Sequence, residues 1–225
     1  MDEIRRLPQP ARRGFCEVYK NVLSRAAAKR VQTMSMQQAS TSTPAGKPGT
    51  ETITLGGGCF WCTEAVFVNV RGITDVESGY SNGHVLKPSY EQVCTGSTGH
   101  NEVVQLKFDP EEISLEEILQ IFFVVHDPTT PNRQGNDVGT QYRSGIYTST
   151  PEQAEVAKQV LAEIAASKTY SHPVVTEVLP RSNYSPAEDY HQDFFAKNPN
   201  QGYCMMVAAP KVAKFRKTFA RLAKN

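Results

Sequence analysis

Cys59 and Cys62 stand three residues apart, with Phe60 and Trp61 between them and three glycines, Gly56, Gly57 and Gly58, immediately before. A thiolate attacks electrophilic sulfur or carbon, so a cysteine whose surroundings favour the charged form is a candidate for redox or nucleophilic chemistry. Thr52-Ile53-Thr54-Leu55 ahead of the glycines is a β-branched run that predicts a buried strand. Ala65, Val66, Phe67 and Val70 behind them recur at helical spacing. Cys59 is therefore expected where a strand turns into a helix. Glycines permit the sharp turn, and the first helical turn would aim unpaired N–H groups and a partial positive charge at the sulfur. The sequence thus predicts a thiolate at Cys59. A lone thiol in such a turn would read as a small buried hydrophobe; a pair beside the only tryptophan of the chain points to function.

The elements that must position this pair follow in order. Residues 72–80 predict a strand and 81–90, rich in turn formers, a loop. Residues 101–108 alternate in polarity and predict another strand. Ser114-Leu115-Glu116-Glu117 is a capping-box pattern opening a helix that ends at His126-Asp127-Pro128. A short strand is expected at 145–148. A helix capped by Thr150 follows, with Pro151 at its first position, Gln153 at its third and a stripe of Val156, Val160 and Ile164. Residues 174–179 predict a strand and Ser185-Pro186-Ala187-Glu188 another helix cap. Val212, Phe215, Phe219 and Leu222 predict a basic terminal helix with one buried face. Strand, helix, strand, strand, helix, strand is the split βαβ order, so the fold class expected is α+β: a ferredoxin-like mixed sheet with covering helices and a long C-terminal segment.

The 225 residues, 39% hydrophobic and 21% charged, suffice for one domain with a core plus an appendage. Residues 1–50 carry scattered arginines and then a stretch rich in Ser, Thr, Gly, Pro and Gln, which predicts a disordered or targeting extension ahead of a domain at 51–225. A transit peptide would place the protein in a chloroplast or mitochondrion, and an unstructured extension in the cytoplasm. A formal net charge of +1 gives no reason to expect a nucleic-acid or membrane partner, and no apolar run reaches membrane-spanning length. Five cysteines, Cys16, Cys59, Cys62, Cys94 and Cys204, are an odd number at irregular spacing, unlike a secreted disulfide scaffold.

Gly58-Cys59-Phe60-Trp61 resembles the active-site signature of the A-type peptide-methionine sulfoxide reductases. Segments 90–96, 98–102, 126–128, 135–144 and 198–204 resemble that family's segments in its order, from about residue 52 to 210. The resemblance implies Cys59 as nucleophile, with Glu102, Tyr90 and Tyr142 binding and protonating the sulfoxide oxygen and Asp137 supporting them. It also implies Phe60 and Trp61 as the pocket for the S-methyl group. The chemistry agrees: reducing a sulfoxide needs a nucleophile at sulfur and a proton for the departing oxygen. Methionine would leave Cys59 as a sulfenic acid, a second thiol would form a disulfide with it, and thioredoxin would restore the thiols. The implied substrate is the S epimer of methionine sulfoxide, free or in proteins, acted on by a monomer without a cofactor.

Two thiols compete for the resolving step. Cys62 lies within disulfide reach on the same helical turn, about 5 Å from Cα to Cα, and stands where familiar bacterial members often carry glycine. Cys204 matches the family's Gly-Tyr-Cys position in a tail expected to be mobile; it is the choice here, with Cys62 in reserve. Two rival readings remain from the residues themselves. Cys59 and Cys62 could be the dithiol of a thioredoxin-like disulfide oxidoreductase. The cysteines, or His100, Glu102 and His126, could hold a metal, but a second close cysteine pair is missing and no metal is expected.

Overall fold

The computed structural model describes residues 49–224, so the expectations for residues 1–48, Cys16 among them, lie outside the described residues. Eight strands are described: β1 (Glu51–Gly57), β2 (Ile73–Ser81), β3 (Asn101–Phe108), β4 (Arg133–Gln134), β5 (Asp137–Val138), β6 (Ser144–Thr148), β7 (Glu177–Pro180) and β8 (Ser185–Pro186). The helices are α1 (Phe60–Phe67), α2 (Tyr90–Cys94), α3 (Leu115–Val125), α4 (Pro151–Ala166), α5 (Phe194–Lys197) and α6 (Ala209–Thr218). None among the described residues is long and apolar enough to cross a membrane.

Strand β1 lies inside the main sheet because its residues can be buried on both faces: Ile53, Thr54 and Leu55 have no exposed surface. It pairs antiparallel with β3 on one side and β6 on the other, in the sheet order β7-β6-β1-β3-β2-β8. The central four strands, β6-β1-β3-β2, are the interleaved ferredoxin-like arrangement expected from the sequence. Strand β7 adds in parallel to β6 through the crossover helix α4, as a parallel neighbour requires. A small hairpin of β4 and β5 stands apart from this sheet.

The capping box of α3 is present, Ser114 and Glu117 each satisfying the other's backbone N–H, and α3 buries Ile118, Leu119, Phe122 and Phe123 against the sheet. Thr150 caps α4 as expected. Four expectations need correction. Ser185 and Pro186 cap no helix; they pair with Tyr80 and Gly79 at the sheet edge, a place that tolerates proline. The supposed loop 81–90 ends in the capping box of Ser89 and Gln92, which opens α2. Strand β7 starts only at Glu177, because the Val175 N–H is taken by the Pro128 carbonyl and the Thr176 hydroxyl by Ser144. The terminal helix stops at Thr218, although Phe219 and Leu222 stay buried beyond it.

The three glycines before Cys59 have separate causes. Gly56 and Gly57 are strand residues, and a Cβ on Gly57 would meet Phe122 at 2.9 Å. Gly58 alone makes the turn, with φ +88, and a Cβ there would stand 2.6 Å from the Gln134 Cβ. Gly58→Ala should therefore lose about 2 kcal/mol of stability, read by urea denaturation; a loss within error would show that the turn does not depend on glycine.

Candidate active site

Cys59 is the N-cap of α1, with extended ψ and no side-chain cap bond. The N–H of Phe60, which the sequence would aim at that sulfur, instead donates to Glu102 Oε2 at 3.2 Å. Glu102 comes from β3, on the same face as Val104, Leu106 and Phe108, and is 1% exposed. Burial raises its pKa to about 8, with Asp137 adding to the rise, and the Phe60 N–H only partly opposes it. At neutral pH this carboxyl holds its proton.

The expectation of a thiolate at Cys59 is overturned. Burial first, and then the neighbouring Cys62, push the Cys59 thiol well up. Cys62, buried on the same turn, is lowered to about 7, first by the neighbouring Cys59 and against its own burial. Of the two sulfurs, Cys59 holds its proton the more tightly and Cys62 is the more acidic. Cys62 Sγ also donates to the Tyr203 hydroxyl at 3.6 Å, and Tyr203 donates to Asp137 Oδ2 at 2.6 Å. All four described cysteines are free thiols.

Tyr90 opens α2, and its N–H is held by Glu188 Oε1 at 2.9 Å; Tyr142 ends the single 3₁₀ turn Thr140–Tyr142 after β5. Burial raises both phenols, and Glu102 acts electrostatically on both, so both hydroxyls stay protonated and able to donate. Asp137 on β5 interacts with Glu102 and Tyr142. The structure therefore gathers Cys59, Cys62, Glu102, Tyr90, Tyr142 and Asp137 around one point.

Phe60 and Trp61 part company. Phe60 is buried, its ring 5.8 Å from Tyr80 and 5.0 Å from His191. Trp61 stays half-exposed, stacked on Phe194 at 3.6 Å and 5° and edge-on to Tyr203 at 5.9 Å. Cys204 is fully buried at the start of the π-helical turn Cys204–Ala208, and burial pushes its thiol up. The segment expected to be a mobile tail takes helical form there. Among the described residues no group of three His, Cys, Asp or Glu side chains is placed to hold a metal.

Sequence reasoning missed Glu64, His191, Phe194 and the role of Tyr203. Glu64 is buried on α1 and accepts from Ser78 Oγ at 3.1 Å and from the N–H groups of Asp193 and Phe194 at 3.0 and 3.1 Å. It thereby anchors the chain where Asp193 turns left-handed, φ 55, and presents Phe194 to Trp61. The available signal was an acid directly before the apolar run Ala65-Val66-Phe67 on a helix expected to be buried, which calls for partners.

A ferredoxin-like sheet presenting paired thiols beside a protonated buried carboxyl and two phenols defines a thiol-based oxidoreductase. A family model described as Peptide methionine sulfoxide reductase matches residues 51–223. Peptide methionine sulfoxide reductase MsrA of Polynucleobacter asymbioticus is 55% identical over 175 residues, 78% of this chain and 92% of its own. The MsrA of Saccharolobus solfataricus is 55% identical over 169 residues, 75% and 94% of the two chains. Among solved structures, methionine sulfoxide reductase A of Corynebacterium diphtheriae is similar with a TM-score of 0.63 and 39% identity, over 69% of this chain and 78% of that one. Reduced Mxr1 of Saccharomyces cerevisiae gives 0.64 and 35%, over 73% and 92%. The chain belongs to the peptide methionine sulfoxide reductase family.

The Glu102 carboxyl carries a measurable consequence for stability. Between its ordinary value of 4.5 and about 8, the folded state keeps a proton that the unfolded chain releases. Stability contributed by that proton is complete below pH 4.5 and is lost as pH rises toward 8. The melting temperature of Glu102→Gln should therefore gain on wild type as pH rises through this window. Parallel melting curves across it would contradict a buried protonated carboxyl.

Proposed function

We propose that Cys59 attacks the sulfur of methionine sulfoxide while Glu102 hands its proton to the departing oxygen, assisted by the hydroxyls of Tyr90 and Tyr142. The observation that carries this reading is the buried Glu102, pKa raised to about 8, bonded to the amide next to Cys59. A sulfoxide oxygen leaves poorly unless protonated, and a carboxyl near neutral pKa is suited to supply the proton. Cys59 must lose its own proton as it attacks, and the adjacent Cys62, lowered to about 7, is placed to take it. The protonated oxygen passes to the Cys59 sulfur as the transient bond between that sulfur and the methionine sulfur breaks, leaving a sulfenic acid and free methionine. Trp61 forms the wall for the S-methyl group, with Phe60 behind it. The S epimer, free or in proteins, is the substrate that the A-type resemblance supports.

For the resolving step, two observations move the preference from Cys204 to Cys62. Cys62 sits on the same turn as Cys59, its N–H donating to the Cys59 carbonyl at 3.1 Å, whereas Cys204 is buried in a helical turn. Condensation of the sulfenic acid with the Cys62 thiol forms the Cys59–Cys62 disulfide and releases water. Cys204, within electrostatic range of Cys62, can then exchange into that bond, and a dithiol reductant of the thioredoxin type returns the thiols. The catalytic unit is residues 51–225. Its compartment is the cytoplasm, or an organelle if the first 50 residues act as a transit peptide, which a fluorescent fusion of that segment tests.

Cys59→Ser should abolish reduction with the fold intact, since a hydroxyl at that position is neither acidic nor nucleophilic enough. Glu102→Gln should lower kcat roughly 10²- to 10³-fold; wild-type turnover in either variant would sink the assignment. With thioredoxin as sole reductant, Cys62→Ser should release one methionine per protein and then accumulate sulfenic acid, read by intact mass. Prompt disulfide formation in Cys62→Ser, lost in Cys204→Ser, would return the resolving role to Cys204. A chain beginning at residue 49 should keep full activity.

A further inference from the structure

The half-exposed Trp61 ring is held by a group that nothing in the reaction itself requires. Its indole Nε1–H donates to His191 Nδ1 at 3.0 Å. An indole nitrogen only donates, so Nδ1 must be the unprotonated nitrogen and a neutral ring carries its proton on Nε2. The imidazole is 1% exposed, with Tyr90 and Tyr190 at ring separations of 4.5 and 4.2 Å in addition to Phe60. Burial lowers its pKa against the opposing pull of Glu188 and Glu91, which favours the neutral form that can accept. Nε2 is buried without a hydrogen-bond partner, its nearest carboxylate oxygen, on Glu188, being 3.9 Å away.

That unpartnered nitrogen is informative. A phenyl ring would fill the same aromatic nest without leaving a buried polar atom unsatisfied, at a saving in desolvation. The polar contact the imidazole does make is the one to Trp61. Stacking on Phe194 at 3.6 Å fixes the plane of the indole but leaves it free to slide or turn within that plane. A directional hydrogen bond at its edge removes that freedom.

We propose that His191 is a positioning residue whose Nδ1 lone pair locks the in-plane orientation of Trp61, so that the wall for the S-methyl group is formed before substrate arrives. The proposal rests on the assignment of Trp61 to that wall. Pre-ordering a pocket spares the ordering cost at binding, so its loss appears in KM rather than in the chemical step. Because the chain has one tryptophan, a single indole N–H resonance reports this bond without ambiguity.

Three forms of the full chain decide the matter: wild type, His191→Phe, which keeps a ring but has no acceptor, and His191→Asn, whose side-chain oxygen can stand near the place of Nδ1. His191→Phe should move the indole N–H resonance and speed its exchange with water, and raise KM for methionine sulfoxide about fivefold to tenfold with kcat little changed. His191→Asn should recover both readouts in large part. In wild type, the imidazole ¹⁵N shifts should show the Nε2–H tautomer, a reading that stands even where a variant fails to fold. An Nδ1–H tautomer, an unchanged indole signal in His191→Phe, equal rises of KM in both variants, or a fall in kcat at constant KM would each overturn the proposal. Absence of sulfoxide reduction by wild type would instead refute the reaction assigned above, and the spectra would still decide whether His191 holds Trp61.

Discussion

Everything at the site depends on one carboxyl kept out of water. Glu102 lies on an inner strand of the sheet, and its hydrogen-bond donor among the protein groups is the first amide of α1. Had several backbone N–H groups converged on it, the carboxyl would be an ordinary anion; a single one leaves burial in command. The same amide is thereby withdrawn from Cys59. The first amide of the helix therefore donates to Glu102. Burial raises both Glu102 and Cys59, so both groups hold their protons at rest.

The C-terminal third of the chain completes what the sheet begins. Glu64 on α1 accepts two backbone N–H groups from the turn before α5, and that turn delivers Phe194 to the face of Trp61. Tyr203 then bridges Cys62 to Asp137, so a residue from the final third links a thiol on α1 to a carboxylate on β5. Local sequence near Cys59 supplies the thiols, and distant sequence supplies their environment.

That division explains what could be read without coordinates. The strand order, the caps at Ser114 and Thr150 and the strand-to-helix turn at Cys59 were legible, because periodicity, capping and glycine act over a few residues. The resemblance singled out Cys59, Glu102, Tyr90, Tyr142 and Asp137, and the structure brings them near one another. The charge on Cys59 was misread, since no local pattern says that a carboxyl from β3 will take the helix N–H. Ser185 and Pro186 carried a cap-like pattern that edge pairing with β2 overrode. No local pattern singles out His191; its hydrogen bond comes from Trp61, 130 residues away.

The state of the Glu102 proton can be observed directly. Infrared difference spectra of wild type against Glu102→Gln should show a protonated carboxyl C=O stretch at neutral pH that fades as pH rises through about 8. A carboxylate signature already complete at pH 7 would contradict the account, because the acid on which the chemistry rests would be absent.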